Sequence, residues 1–147
     1  SLMLRLVWVF LLMCFSIQAH TVEEKLYKQH ADYKIFYSAF NTSFITPDIA
    51  AANNIVRGKN KGLVNISVMK DLAVGVPSII TGRVFNILQQ SQTLHFEVVK
   101  EQQSIYYLAP FEFEDQDYLT FKITVKPNDD SRSYDYDFKF QKKMYHD

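Results

Sequence analysis

From about residue 30 onward, apolar and polar residues alternate along the chain, and polar turn clusters break the alternation about every ten residues. A period of two belongs to strands with one buried and one wet face, and regular turn spacing belongs to sandwiches and barrels. The clearest segment runs from Tyr118 to Lys126. There Leu119, Phe121, Ile123 and Val125 alternate with Thr120, Lys122, Thr124 and Lys126, which predicts a half-buried strand. Tyr134 to Gln141 repeats the pattern with Tyr134, Tyr136, Phe138 and Phe140 on one side. The NDDSRS stretch between the two has turn composition. Leu94, Phe96 and Val98 predict another strand, and so do Val64, Ile66 and Val68. Ile79 to Leu88 is less regular, and Gly82 marks an expected bulge. Ser104 to Phe113 and Asp32 to Phe44 bring the expected total to about seven strands.

A single short helix is expected after the first of these strands. Thr46 suits the cap, Pro47 the first helical position and Asp48 the positive end, ahead of IAAANN. Residues 20 to 31 read as a lead-in or a turn of helix. There is no internal repeat or low-complexity linker, so residues 20–147 are expected to form one domain. The predicted fold is an all-β, immunoglobulin-like antiparallel sandwich, with a small barrel as the alternative.

The N-terminus follows a different pattern. Leu4 to Ile17 is an apolar run interrupted only by Arg5, and charge resumes at Glu23. A positive start, a run of this length and a small residue after it make a signal peptide, with cleavage expected after Ala19. The run is shorter than the roughly 20 apolar residues a membrane-spanning helix needs. An uncleaved anchor is the alternative. Met13 is too bulky to precede a lipid-modified Cys14. Ser1 and Leu2 precede what looks like the initiator, Met3, and read as a cloning remnant.

Cleavage would change the composition. Cys14 and Trp8, the only cysteine and tryptophan, would leave with residues 1–19. The mature domain would then lack thiol, disulfide and cysteine–metal chemistry. Sixteen basic residues become fifteen against sixteen acidic ones, a net charge of −1. Such a balance steers nothing toward nucleic acid or an anionic membrane surface.

No catalytic template fits. There is no G-x-S-x-G elbow, no H-E-x-x-H, no C-x-x-C and no calcium loop. His20 and His146 lie near expected chain ends, His95 falls on a polar strand face, and His30 precedes the first expected strand with no visible partner. Asp129, Asp130, Asp135 and Asp137 are the densest carboxylates. Asp135 and Asp137, roughly 7 Å apart on one strand face, could hold a hard cation. Without calcium-loop spacing they read as a solvated face beside an acidic turn. Glu114, Asp115 and Asp117 read as a hairpin loop.

Arg57, Lys59 and Lys61 flank Gly58 and Gly62 and form the one candidate anion site, since glycine-turn amides with basic side chains can hold a phosphate or carboxylate. A basic, flexible surface turn accounts for the same residues. The 12 Phe and 9 Tyr are expected to fill the core, with Tyr106, Tyr118 and Tyr145 as outward contact residues. The Asn41 and Asn65 glycosylation sequons carry no meaning in a bacterial periplasm. Asn41 reads instead as a strand-end residue bonding nearby backbone.

YSAFNTSF (Tyr37–Phe44), IVRGK (Ile55–Lys59), LVNISV (Leu63–Val68) and IYYLA (Ile105–Ala109) together resemble a family of short exported gammaproteobacterial proteins, domain of unknown function family 4426. The resemblance implies a periplasmic, immunoglobulin-like domain and brings no reaction, ligand or catalytic residue with it. The expected function is a non-enzymatic periplasmic binding or protein-interaction module without a cofactor. Its partner would be an unknown protein or small ligand, not nucleic acid, and it would not insert in the membrane once the signal is cut. A small hydrolase or ligand-processing enzyme is the alternative.

Overall fold

The computed structural model describes residues 27–70, 74–128 and 135–147. The expected signal segment and the 20–26 lead-in lie outside them. Among the described residues, ten strands form two antiparallel sheets. They are β1 (Tyr27–His30), β2 (Tyr33–Asn41), β3 (Lys61–Lys70), β4 (Val74–Gly75), β5 (Ser78–Phe85), β6 (Ser91–Leu94), β7 (Glu97–Glu101), β8 (Ser104–Glu112), β9 (Asp117–Pro127) and β10 (Tyr136–Met144). The first sheet has the order β1-β2-β3-β8-β7, with β4 also on β3, and the second has β10-β9-β5-β6. In chain order, β2-β3-β8-β7 against β10-β9-β5-β6 is the strand arrangement of an immunoglobulin-like sandwich.

The alternation seen in the sequence carries the core. Ile35 and Ala39 of β2, Val64, Ile66 and Val68 of β3, and Ala109 and Phe111 of β8 are buried against Val84 of β5 and Leu119, Phe121, Ile123 and Val125 of β9. Phe121 stacks on Phe140 at 4.7 Å and meets the edge of Phe111 at 5.1 Å. Such pairs add to the burial of the rings themselves.

Several local expectations are corrected. Tyr27–His30 is a strand, not a lead-in or helical turn. It folds back on β2 around Ala31, whose φ is 51°. Tyr27 lies on Phe36 at 5.3 Å, and His30 has a partner, stacking on Tyr136 at 4.6 Å. The helix α1 (Pro47–Ala52) therefore follows the second strand. Thr46 stands at its N-cap, but the side chain makes no capping bond.

Gly82 marks no bulge, because β5 pairs with β9 without interruption from Ser78↔Pro127 to Phe85↔Thr120. A Cβ at Gly82 would stand 2.8 Å from both Ile123 Cδ1 and the Lys122 carbonyl oxygen, so glycine serves close approach there.

The Leu94–Val98 run is two strands in different sheets. The chain leaves the second sheet at Leu94 and joins the first at Glu97. Finally, Glu114–Asp117 is no hairpin loop. It carries the chain from β8 in one sheet to β9 in the other, closed by Asp117 N–H to the Glu114 carbonyl at 3.1 Å and Glu114 N–H to Asp117 Oδ2 at 2.8 Å.

Candidate functional site

The crossover at His95–Phe96 creates a hollow at the edge of the first sheet. β7 pairs with β8 only from Ser104 to Leu108. Beyond Leu108 the chain that would continue this edge has turned to the second sheet, leaving a notch beside Ala109–Glu112. Pro110 falls in this unpaired stretch, where a missing N–H costs no ladder bond. At the far end of the notch the Gln92 side chain substitutes for a strand. Its amide donates to the Glu112 carbonyl at 2.7 Å and accepts from Glu112 N–H at 2.8 Å.

The roof comes from the segment between β2 and β3. Neighbouring antiparallel strands can join through a few residues, whereas the Thr42–Asn60 connection is long and carries a helix of its own. This one is a compact lobe closed at its base, where the Thr42 hydroxyl accepts from Gly58 N–H at 3.1 Å and donates to the Gly58 carbonyl at 3.2 Å. It brings Asn53–Val56, just after α1, beside Leu63 and Leu108 on the outer face of the first sheet. Leu63 points outward by register, yet is only 1% exposed.

The result is a cleft of about 400 Å³, within the range of small-ligand sites. Its floor is apolar: Leu63, Leu108, Pro110 and Phe111. Ile55 and Val56 come from the lobe. Asn53, Asn54, Lys61, Gln92, His95, Glu97 and Glu112 are the polar lining. Deep in the same sheet face, Asn65 Oδ1 is buried without a hydrogen-bond donor among the described residues, an arrangement that costs about 1–3 kcal/mol.

The three candidate anion ligands are placed differently. Lys61 stands opposite Glu112 in register and bonds its Oε1 at 2.9 Å. The Arg57 guanidinium reaches the Ser43 carbonyl at 3.5 Å, and Lys59 is an exposed side chain at the base of the lobe. The Lys61 ammonium holds the Glu112 carboxyl below its usual pKa, first by the hydrogen bond and then by charge. A folded pKa below the unfolded one means the unfolded state binds more protons, so this contribution rises with pH through the window between the two values. It is present above the unfolded pKa and lost as pH falls through the depressed one. Glu112→Gln is therefore expected to flatten the acid side of the stability–pH curve slightly, as followed by urea unfolding from pH values below the ordinary carboxylate pKa up to neutral. An unchanged slope would refute the pairing.

The other candidates do not gather. Asp129 and Asp130 lie outside the described residues. Asp137 accepts from the Thr124 hydroxyl at 2.7 Å, and Asp135 is exposed ahead of β10. Among the described residues no group of three His, Cys, Asp or Glu side chains is placed to hold a metal ion. Tyr106 lies in the first sheet, whereas Tyr118 lies in the second and donates to Gln141 Oε1 at 2.8 Å. The outward tyrosines thus share no single surface.

Asn41 does not bond nearby backbone. Its side-chain amide donates to the Tyr145 carbonyl at 2.7 Å and to Asp147 Oδ1 at 3.0 Å, more than a hundred residues away. His146 is likewise held, by its N–H to Asp115 Oδ1 at 2.8 Å and its ring against Phe113 at 5.3 Å. His95 is exposed, as the sequence suggests, but it stands at the sheet crossover rather than within a strand, and it is on the cleft lining. Nothing in local alternation distinguishes the two situations.

Among the described residues no helix is long and apolar enough to cross a membrane. The family model for a domain of unknown function, DUF4426, matches residues 27–147, and the chain belongs to that family. It is similar to a DUF4426 family protein of Pseudomonas aeruginosa PAO1 whose crystal structure is known. The two are 29% identical with a TM-score of 0.73, over 82% of this chain and 94% of that one. It also shares its fold with FetP of uropathogenic Escherichia coli strain F11, isolated after expression in the E. coli periplasm. The identity is 11% and the TM-score 0.54, over 80% of this chain and 92% of that one. A copper-bound single-residue variant of FetP gives 11% and 0.56, over 82% and 89%. None of the curated proteins matches the chain.

Proposed function

We propose that this DUF4426 protein is a non-enzymatic periplasmic binding module that takes its ligand in the cleft beside β8. The export-type N-terminal sequence supports the compartment, and FetP, which shares the fold, was expressed in a periplasm. One observation carries the binding reading. The sheet crossover and the lobe together make an apolar floor of Leu63, Leu108 and Pro110 beneath a lining of hydrogen-bonding groups. That combination of apolar body and a few orienting polar atoms is what small-ligand sites share.

Amide chemical-shift mapping with a fragment library tests the reading. Hits should shift Leu63, Leu108 and Glu97 together. Leu108→Arg should weaken those hits at least about tenfold, or ~1.4 kcal/mol, because Leu108 faces outward and its replacement fills the cleft without entering the core. Hits scattered over both sheets, or hits that survive Leu108→Arg, would dismiss the cleft as the site.

A further inference from the structure

We infer that the cleft selects a lipophilic amine, an ammonium group on an apolar body, over an anion of the same size. The inference rests on the cleft being a binding site and adds the ligand's chemical class.

The first support is the charge on the lining. Among the described residues, three formally charged side chains line the cleft: Lys61, Glu97 and Glu112. The Lys61 ammonium is committed to Glu112 at 2.9 Å, so these two cancel. Glu97 has no ion-pair partner among the described residues. Arg57, next to the lining residue Val56, directs its guanidinium at the Ser43 carbonyl, and neither Lys59 nor Lys100 is on the lining. His95, Asn53, Asn54 and Gln92 complete the polar lining. The net field facing a ligand is therefore that of one free carboxylate.

The second support is independent of side-chain charge and comes from the strand edge. On β8, Glu112 directs both its N–H and its carbonyl at Gln92, on the side away from β3. Alternation gives Pro110, two residues earlier, the same direction. Its carbonyl thus faces the notch, where no described strand pairs with it, and proline has no N–H to present beside it. Between Leu108 and Glu112, β8 thus offers the cleft a backbone acceptor and no donor. An ammonium group matches both features, donating to the carbonyl and neutralising Glu97, while its alkyl body covers Leu63 and Leu108. A carboxylate of equal length would meet one like charge and one lone pair.

The test is titration calorimetry of the protein at neutral pH and low salt with decylammonium and with decanoate. Decylammonium is expected to bind about tenfold tighter, the size of swapping an attraction for a repulsion at a partly exposed site. Glu97→Gln, at an exposed position, should bring the two affinities to within about threefold. Equal binding of both probes by the wild type, tighter binding of decanoate, or a preference unchanged in Glu97→Gln would each overturn the inference while leaving the cleft as a site. Failure of both probes to bind, or binding insensitive to Leu108→Arg, would overturn the cleft reading with it.

Discussion

Phe121→Ala is expected to cost the domain about 4 kcal/mol, the largest loss of any single core truncation. Phe121 is 0% exposed at the centre of β9. It is flanked in register by Val84 on one side and Phe140 on the other. It stacks on Phe140 and receives Phe111 edge-on. Removing the ring loses its transfer free energy and leaves a cavity. Its neighbours come from three strands in both sheets, so they cannot collapse into that space together. The sequence holds a single cysteine, Cys14, so no intrachain disulfide limits the damage. Domains of this size have only about 5–15 kcal/mol in total. Urea unfolding should show a midpoint shift corresponding to at least half the expected loss, with Tyr118→Ala on the outer face staying within about 1 kcal/mol of wild type. Equal effects at the two positions would contradict the packing described.

Gly62→Ala is expected to be the second most damaging change, at about 2–3 kcal/mol, although it adds only one methyl group. Gly62 pairs with Phe111 across β3 and β8. A Cβ there would stand 2.7 Å from Cε2 and 2.8 Å from Cε1 of that ring. Phe111 cannot withdraw, because its other sides meet Phe121 at 5.1 Å and Phe113 at 6.0 Å. Gly58→Ala is the matched control. The added Cβ would lie 3.3 Å from side-chain atoms of Asn60 and Lys61, which need give way by only a few tenths of an ångström. Thermal unfolding of the two variants should separate them by several degrees, roughly 3–5 °C per kcal/mol for a domain of this length. Coincident melting curves would show that the β3–β8 packing is looser than this geometry. Because Phe111 also lines the cleft, Gly62→Ala should weaken fragment binding as well.

Phe121 and Gly62 differ in how legible they are along the chain. Phe121 stands out in the sequence as the middle of the most regular alternation. Gly62 does not, because the reason for a glycine there is a ring on a strand nearly fifty residues later. The same division runs through the whole molecule. Alternation, turn composition and length indicate an all-β sandwich, the inward face of β9 and β10, and the helix opening at Pro47, since each depends on neighbours a few residues away. The family resemblance through Tyr37–Phe44, Ile55–Lys59, Leu63–Val68 and Ile105–Ala109 was legible for the same reason.

Only the tertiary structure decided where the chain changes sheet. Leu94, Phe96 and Val98 keep period two through His95, and alternation carries no information about which sheet a strand joins. That one crossover turns an apparent strand into β6 and β7, leaves Pro110 without a strand partner on the side away from β3, and brings His95 and Glu97 to a cleft with Leu63 and Leu108. It also made the Glu114–Asp117 turn a bridge between layers rather than a hairpin. Asn41 held the C-terminal residues instead of its own neighbours because the termini of β2 and β10 meet at one end of the sandwich. Local free energies along the chain thus specified the strands and their buried faces. The pairing of distant edges, which no local pattern encodes, specified the site.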